Sequence, residues 1–149
     1  MSVNPELVGR SFPPTAPYLV GREKVREFAR AIFADAPQHV DPEAARALGY
    51  ADVVAPPTFA IVIQDLTLQQ LLAVPDSGIA LERAVHAEQR FRYTRPIVAG
   101  DELTAQLSIV GVRPFGAGAM VTSESTVIDA DGAHVVTATS VLLIGGEVA

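Results

Sequence analysis

The sequence predicts an α+β fold in which a curved antiparallel sheet wraps around one long helix, and three observations favour it. Residues 57–73 are apolar on nearly every side of their first two turns, so the helix that they form must be largely buried. The remaining sequence supplies several strand-like segments. In a chain of 149 residues, a curved sheet is an economical way to cover a helix on most sides.

Two further helices are predicted before the central one. In residues 22–33 one apolar stripe repeats at the spacing of a helix face, formed by Val25, Phe28, Ala29 and Ile32. A short helix follows, in which Asp41 is expected to cap the first turn and Pro42 fits the first helical position. Gly49 is expected to end it.

The predicted strands lie in the second half of the chain. Residues 102–109 alternate strictly between apolar and polar side chains, which is typical of a half-buried strand. Residues 119–129 and 134–144 are rich in β-branched types. Asp129-Ala130-Asp131-Gly132, where the two segments meet, predicts a hairpin turn with glycine at a positive φ. Residues 82–94 form a further candidate strand, ended by Arg95-Pro96 because proline cannot donate to a ladder.

Composition limits the possible functions. One domain covering residues 1–149 is expected from the length. The net charge of −6 gives a nucleic-acid or anionic-membrane partner no electrostatic support. No apolar run approaches the roughly 18 residues of a membrane span, and no signal peptide is recognisable, so we expect a cytoplasmic protein.

Metal and cofactor sites are not expected. The sequence contains no cysteine, which excludes disulfides, thiolate nucleophiles and thiolate metal sites. Its three histidines are far apart and none belongs to a ligand motif. We therefore predict a protein without a metal or other cofactor.

Several segments resemble one known family. Residues 91–101 read Phe-Arg-Tyr-Thr-Arg-Pro-Ile-Val-Ala-Gly-Asp and are similar to the strand-turn-strand signature of hot dog fold dehydratases. Together with residues 20–28 and 54–59, they resemble the FAS1-type, MaoC-like dehydratase N-terminal family, near the HadA-like subunits of actinobacterial (3R)-hydroxyacyl-thioester dehydratases. The resemblance covers about residues 8–145 and implies a hot dog fold.

The resemblance also indicates a catalytic segment at residues 33–42, from which parts are missing. MaoC-type hydratases carry there an aspartate, an asparagine two residues later, and a histidine five residues after the aspartate. Here His39 is kept, whereas Ala34 and Ala36 stand at the aspartate and asparagine positions. Asp35 is the nearest carboxylate, one residue out of place, and we predict His39 and Asp35 as the catalytic candidates.

The start of the central helix departs from the family pattern as well. In the resembling hydratases a backbone N–H there polarises the thioester carbonyl, but Pro56 and Pro57 have none, so Thr58 offers the first amide. Expected substrate contacts are Pro56, Thr58, Phe59, Arg92 and Arg95, the arginines through a pantetheine phosphate or a carrier protein.

The resemblance implies an acyl-CoA or acyl carrier protein substrate and a homodimer or heterodimer with a second hot dog chain. One hypothesis is a (3R)-hydroxyacyl-thioester dehydratase, or (R)-specific enoyl-thioester hydratase, that uses His39 and Asp35. Another is a non-catalytic acyl-binding subunit whose partner supplies the Asp/His pair, which Ala34 and Pro56 favour. A hot dog thioesterase is a third reading, with Asp65 as the carboxylate on the central helix.

Overall fold

The computed structural model describes residues 2–146. Within them lie the helices α1 (Arg22–Ala31), α2 (Pro42–Ala47) and α3 (Ala60–Leu72), with 3-10 turns at Pro5–Leu7, Pro37–His39, Pro57–Phe59 and Leu81–Arg83. The strands are β1 (Tyr18–Leu19), β2 (Ala84–Tyr93), β3 (Glu102–Phe115), β4 (Gly118–Ile128) and β5 (His134–Ile144). The predicted α+β class is confirmed.

The strands form one antiparallel sheet in the order β1-β3-β4-β5-β2. The hairpin turn between β4 and β5 forms as predicted, because Asp129 Oδ1 accepts the Ala133 N–H at 2.9 Å and Gly132 adopts a φ of +81°. β3 continues to Phe115, beyond the predicted end at Ile109. A register shift after Ile109 interrupts its apolar alternation without ending the strand.

The predicted central helix is α3, which packs against the inner face of the sheet. Its buried side chains are Ala60, Ile63, Gln64, Thr67 and Leu71. The opposite side is not covered: Asp65 and Gln69 are exposed, while Ile61 and Val62 are half-buried. The helix is thus buried on one side by its own sheet and remains open on the other.

A polar layer divides the core beneath α3. Along the helix it lies between the buried side chains of Ile63 and Leu71, and along β4 between Val127 and Val121. Its hydrogen bonds join the Thr67 and Ser125 hydroxyls at 2.7 Å, the Gln89 and Gln64 side-chain amides at 2.7 Å, and the Ser123 and Ser140 hydroxyls at 2.9 Å. One apolar cluster therefore lies on each side of the layer.

The helices before α3 follow the predicted local signals with one exception. Asp41 caps α2 by accepting the Glu43 N–H at 3.0 Å, with Pro42 in the first turn, as predicted. α1 ends at Ala31 instead of residue 33, because Phe33 adopts a φ of +58°, which stops the helix. The Phe33 side chain is 91% exposed. Among residues 2–146, no helix has the length and apolarity needed to cross a bilayer.

Candidate functional site

A cleft of about 480 Å³ contains the retained histidine. Three segments form its walls: the loop before α2, the segment leading into α3, and the corner that follows β2. Its lining residues are Gln38, His39, Val54, Ala55, Pro57, Tyr93, Thr94, Arg95 and Pro96. The structure therefore brings together three of the resembling segments, residues 33–42, 54–59 and 91–101.

His39 is buried and held in a defined orientation. Its Nδ1 lies 2.6 Å from the Val54 carbonyl oxygen, and the Val54 N–H donates to the Gln38 carbonyl at 2.9 Å. Because a carbonyl oxygen only accepts, Nδ1 must carry the proton and donate it. In the neutral ring, Nε2 is then an unprotonated acceptor, which is the form that a general base requires.

No carboxylate accompanies His39 among the described lining residues of the cleft. Asp35 is exposed, lies outside that lining, and makes no hydrogen bond to His39 in the described structure. The half-buried Ala34, whose N–H donates to the Ala29 carbonyl at 2.9 Å, offers no side-chain oxygen. The catalytic pairing of Asp35 with His39 stays a prediction, and no contact in the described structure supports it.

The start of α3 offers few free amides. Pro56 is buried and Pro57 lines the cleft, and neither has an N–H to donate. The Tyr93 hydroxyl donates to the Pro57 carbonyl at 2.5 Å, so its proton is directed at the helix and not at the cleft. This tyrosine, which the sequence analysis did not single out, connects β2 to the turn preceding α3.

The other predicted substrate contacts are placed differently from one another. Thr58 is exposed just before α3. The Phe59 side chain is fully buried and packs edge-to-face on Phe28, with the two ring centroids 5.3 Å apart. Arg92 is exposed on β2, and Arg95 lines the cleft. Substrate binding by these residues stays a prediction.

Arg95 is held by two carboxylates. Its guanidinium donates to Asp101 at 2.8 and 3.0 Å and to Asp129 at 3.2 Å. These contacts raise the pKa of Arg95, and the hydrogen bond to Asp101 has the largest effect. The pKa of Asp129 is lowered, mainly by the Ala133 N–H and next by Arg95. A phosphate at this wall would have to compete with carboxylates that already use the arginine.

The buried environment of Tyr93 predicts an alkaline transition in the cleft. Burial raises the pKa of Tyr93 to about 12, against the opposing effect of the Ala60 backbone. Since the folded pKa lies above the ordinary value of 10.0, its stabilising contribution is complete below pH 10 and lost as pH rises through about 12. In an absorbance titration of tyrosinate, Tyr93→Phe should remove the step near pH 12, and Tyr50→Phe should retain it. If Tyr93→Phe still shows the step near pH 12, the assignment is wrong.

Metal binding finds no support in this site. Within residues 2–146, no group of three or more His, Asp or Glu side chains is arranged to hold an ion. His39 is the only histidine among the described residues that line the cleft.

Comparison with known proteins identifies the family. The family model described as 'FAS1-like, dehydratase domain region' matches residues 6–138 of this chain. The UPF0336 protein of Clavibacter michiganensis subsp. michiganensis is 63% identical over 147 residues, which cover 99% of each chain. The C-terminally truncated HadBC (3R-hydroxyacyl-ACP dehydratase) complex from Mycobacterium tuberculosis matches with a TM-score of 0.74 and 34% identity over 89% of this chain and 92% of that chain.

A MaoC-like dehydratase gives a TM-score of 0.82 at 34% identity, over 93% of this chain and 42% of that longer chain. The curled sheet around α3 is thus a hot dog fold, and the cleft-forming segments lie within the matched region. This chain belongs to the FAS1-like dehydratase-region family of MaoC-like hot dog proteins.

Proposed function

We propose that this chain is the acyl-binding subunit of a (3R)-hydroxyacyl-thioester dehydratase in which a second hot dog chain supplies the Asp/His pair. The observation that carries the proposal is the cleft itself, where His39 is retained without a carboxylate among the described lining residues. The substrate is an acyl group attached to CoA or to an acyl carrier protein. The HadBC complex, at 34% identity, supports an assembly of this kind.

The chemistry explains why a partner is needed. Interconversion of a (3R)-hydroxyacyl and a trans-2-enoyl thioester requires proton transfer at two positions and donors to the thioester oxygen. Loss of a proton-transfer group typically lowers a rate by roughly 10²–10⁴, and loss of one oxyanion donor by roughly 10²–10³. A chain with Ala34 in place of the carboxylate and Pro56 at the helix start is therefore a poor catalyst by itself.

The surface beside the cleft is suited to a partner. Within residues 2–146, β2 is an edge strand that pairs only with β5, so half of its backbone groups are available to another strand. On the neighbouring α3, Ile61 and Val62 remain half-exposed and Asp65 is exposed. A second hot dog chain placed there would extend the sheet and cover the open side of the helix.

Assembly is the first expected result. Light scattering should give a mass well above the 15.7 kDa of one chain, either alone or with a second hot dog chain that contains an intact Asp-x-Asn-Pro-x-His segment. Val85→Asp on β2 should weaken assembly, because a charge discourages edge pairing. Leu19→Asp on β1 is the control at the opposite edge, since the two side chains are 62% and 69% exposed. A stable monomer under both conditions would contradict the proposal.

The activity test uses the same pair of chains. Hydration of crotonyl-CoA should be low for this chain alone and for this chain paired with a partner whose catalytic aspartate is replaced. It should be high for the intact pair. The complementation follows because only the partner holds the complete proton-transfer pair. High activity of this chain alone would overturn the assignment as a binding subunit.

The second candidate is a catalytic homodimer that uses His39 and Asp35, and the free Nε2 of His39 favours it. This candidate requires crotonyl-CoA hydration by the purified chain to fall by roughly 10²-fold or more in His39→Ala, with a comparable loss in Asp35→Asn. Melting temperatures of both variants control for folding. An active chain whose variants keep the parent rate would show that these residues are not catalytic. The thioesterase reading gains no support from position, since Asp65 lines a separate cavity of about 200 Å³.

A further inference from the structure

A threonine in the cleft wall is held by a hydrogen-bonded chain of side chains. Thr94 lines the cleft, and its N–H donates to the Val135 carbonyl at 2.8 Å. Its Oγ1 lies 2.5 Å from His134 Nδ1, and His134 Nε2 lies 2.8 Å from Thr137 Oγ1. Thr94, His134 and Thr137 thus form a fixed row that ends at the cleft.

The direction of these hydrogen bonds follows from counting donors and acceptors. Thr137 is only 6% exposed, and its hydroxyl has no other hydrogen-bond partner within residues 2–146. A buried hydroxyl proton without an acceptor is unfavourable, so Thr137 donates to Nε2 of His134. Neutral His134 then carries its proton on Nδ1 and donates it to Thr94. The Thr94 hydroxyl proton remains free for an acceptor in the cleft.

The other polar groups of the cleft do not offer an equally fixed free donor. The Tyr93 hydroxyl is directed at the Pro57 carbonyl, and the Arg95 guanidinium is held by Asp101 and Asp129. Gln38 lines the cleft, but its side-chain amide has no partner in the described structure that would fix its orientation. His39 presents an acceptor at Nε2. Thr94 is therefore the oriented hydroxyl donor of this cleft, in which the turn that leads into α3 begins with prolines.

We infer that the Thr94 hydroxyl donates a hydrogen bond to the thioester carbonyl oxygen of the bound acyl group, with His134 as its positioning residue. The inference rests on the proposed function, because it requires an acyl thioester in the His39 cleft. In this arrangement Thr94 supplies the polarising contact that a backbone amide at Pro56 cannot make. The inference thus assigns a binding role to Thr94, which lies outside the proline-containing turn before α3 and outside the predicted catalytic segment at residues 33–42.

Two matched ligands test the inference by the presence of the carbonyl. Butyryl-CoA has the thioester carbonyl but no double bond to hydrate, and S-butyl-CoA is the thioether that lacks only this oxygen. Calorimetry on the full chain, with its partner chain where one is needed for assembly, should show Thr94→Val weakening butyryl-CoA binding by roughly three- to ten-fold. Binding of S-butyl-CoA should not change, and Thr94→Ser should restore butyryl-CoA binding.

An infrared measurement supplies a readout that a structural role would not change. The stretching frequency of an isotope-labelled thioester carbonyl should be lower in the wild-type complex than in Thr94→Val or His134→Phe, because the hydrogen bond weakens the C=O bond. Thr122→Val, a half-buried threonine on β4 that pairs with Val141 and lies outside the row of Thr94, His134 and Thr137, is the control and should leave the frequency unchanged. Equal weakening of both ligands, or no effect on either, would overturn the role of Thr94. A wild-type protein that binds neither ligand would overturn the proposed function and this inference together.

Discussion

The triple variant Ala34→Asp, Ala36→Asn, Pro56→Gly should hydrate crotonyl-CoA at least about 10²-fold faster than the parent chain. The three changes restore the carboxylate, its neighbouring amide and a backbone N–H beside a histidine that already has a free Nε2. Because such groups act as a unit, each single change should do little, and the combined gain should exceed the product of the single gains. Initial rates of the single, double and triple variants measure this directly.

The main risk in this design is a loss of stability, but the backbone geometry at Pro56 keeps that loss small. Pro56 has a φ of −56° and a ψ of 151°, values that glycine adopts without strain. Replacement of proline by glycine costs about 1 kcal/mol through the greater freedom of the unfolded chain. Denaturant unfolding of each variant separates this loss from any change in rate. Ordinary enzymatic rates in the unmodified chain would show that Ala34 and Pro56 have not silenced the site.

Phe59→Ala should lower the free energy of unfolding by about 3–5 kcal/mol. The side chain is fully buried where the chain enters α3, and its ring meets Phe28 edge-to-face at an interplanar angle of 76°. Truncation leaves a cavity in the apolar core and removes the aromatic pair, itself worth about 0.5–1.5 kcal/mol. A loss of this size is a large part of the stability of an ordinary domain. Denaturant titration with an unchanged m-value would measure it.

Phe33→Ala is the matched control for this prediction. It removes the same aromatic ring from a position that is 91% exposed, so the unfolding free energy should change by no more than about 0.5 kcal/mol. Equal losses in the two variants would show that Phe59 is not the core anchor that its burial indicates. A larger loss for Phe59 in ligand affinity than in stability would instead support its predicted contact with substrate.

Local sequence signals predicted most of the fold because they act over a few residues. The Asp41 cap, Pro42 in the first turn and Gly132 in the hairpin each depend on backbone geometry within one turn. The end of α1 was missed because Phe33 is not a glycine, and nothing in its side chain indicates a positive φ. The extension of β3 was missed because its bulge shifts the apolar period on which strand prediction depends.

The candidate site was less predictable because its contacts join distant parts of the chain. His39 could be found by motif resemblance, and the structure places it in the cleft. The Tyr93 hydrogen bond to Pro57 spans 36 positions and the Thr94 contact with His134 spans 40, so neither has a local signal. The orientation of Asp35 depends on where α1 ends, which the apolar stripe placed two residues too late. The single domain covering residues 1–149 stays a prediction.

The polar layer beneath α3 fixes the axial position of the helix on the sheet. An apolar helix on an apolar surface can slide by one turn of about 5.4 Å and still bury similar area. Here such a slide would break the Thr67–Ser125 and Gln64–Gln89 hydrogen bonds and bury unpaired amides and hydroxyls. The layer therefore acts as a positional lock, which keeps the start of α3 at a constant height beside the His39 cleft.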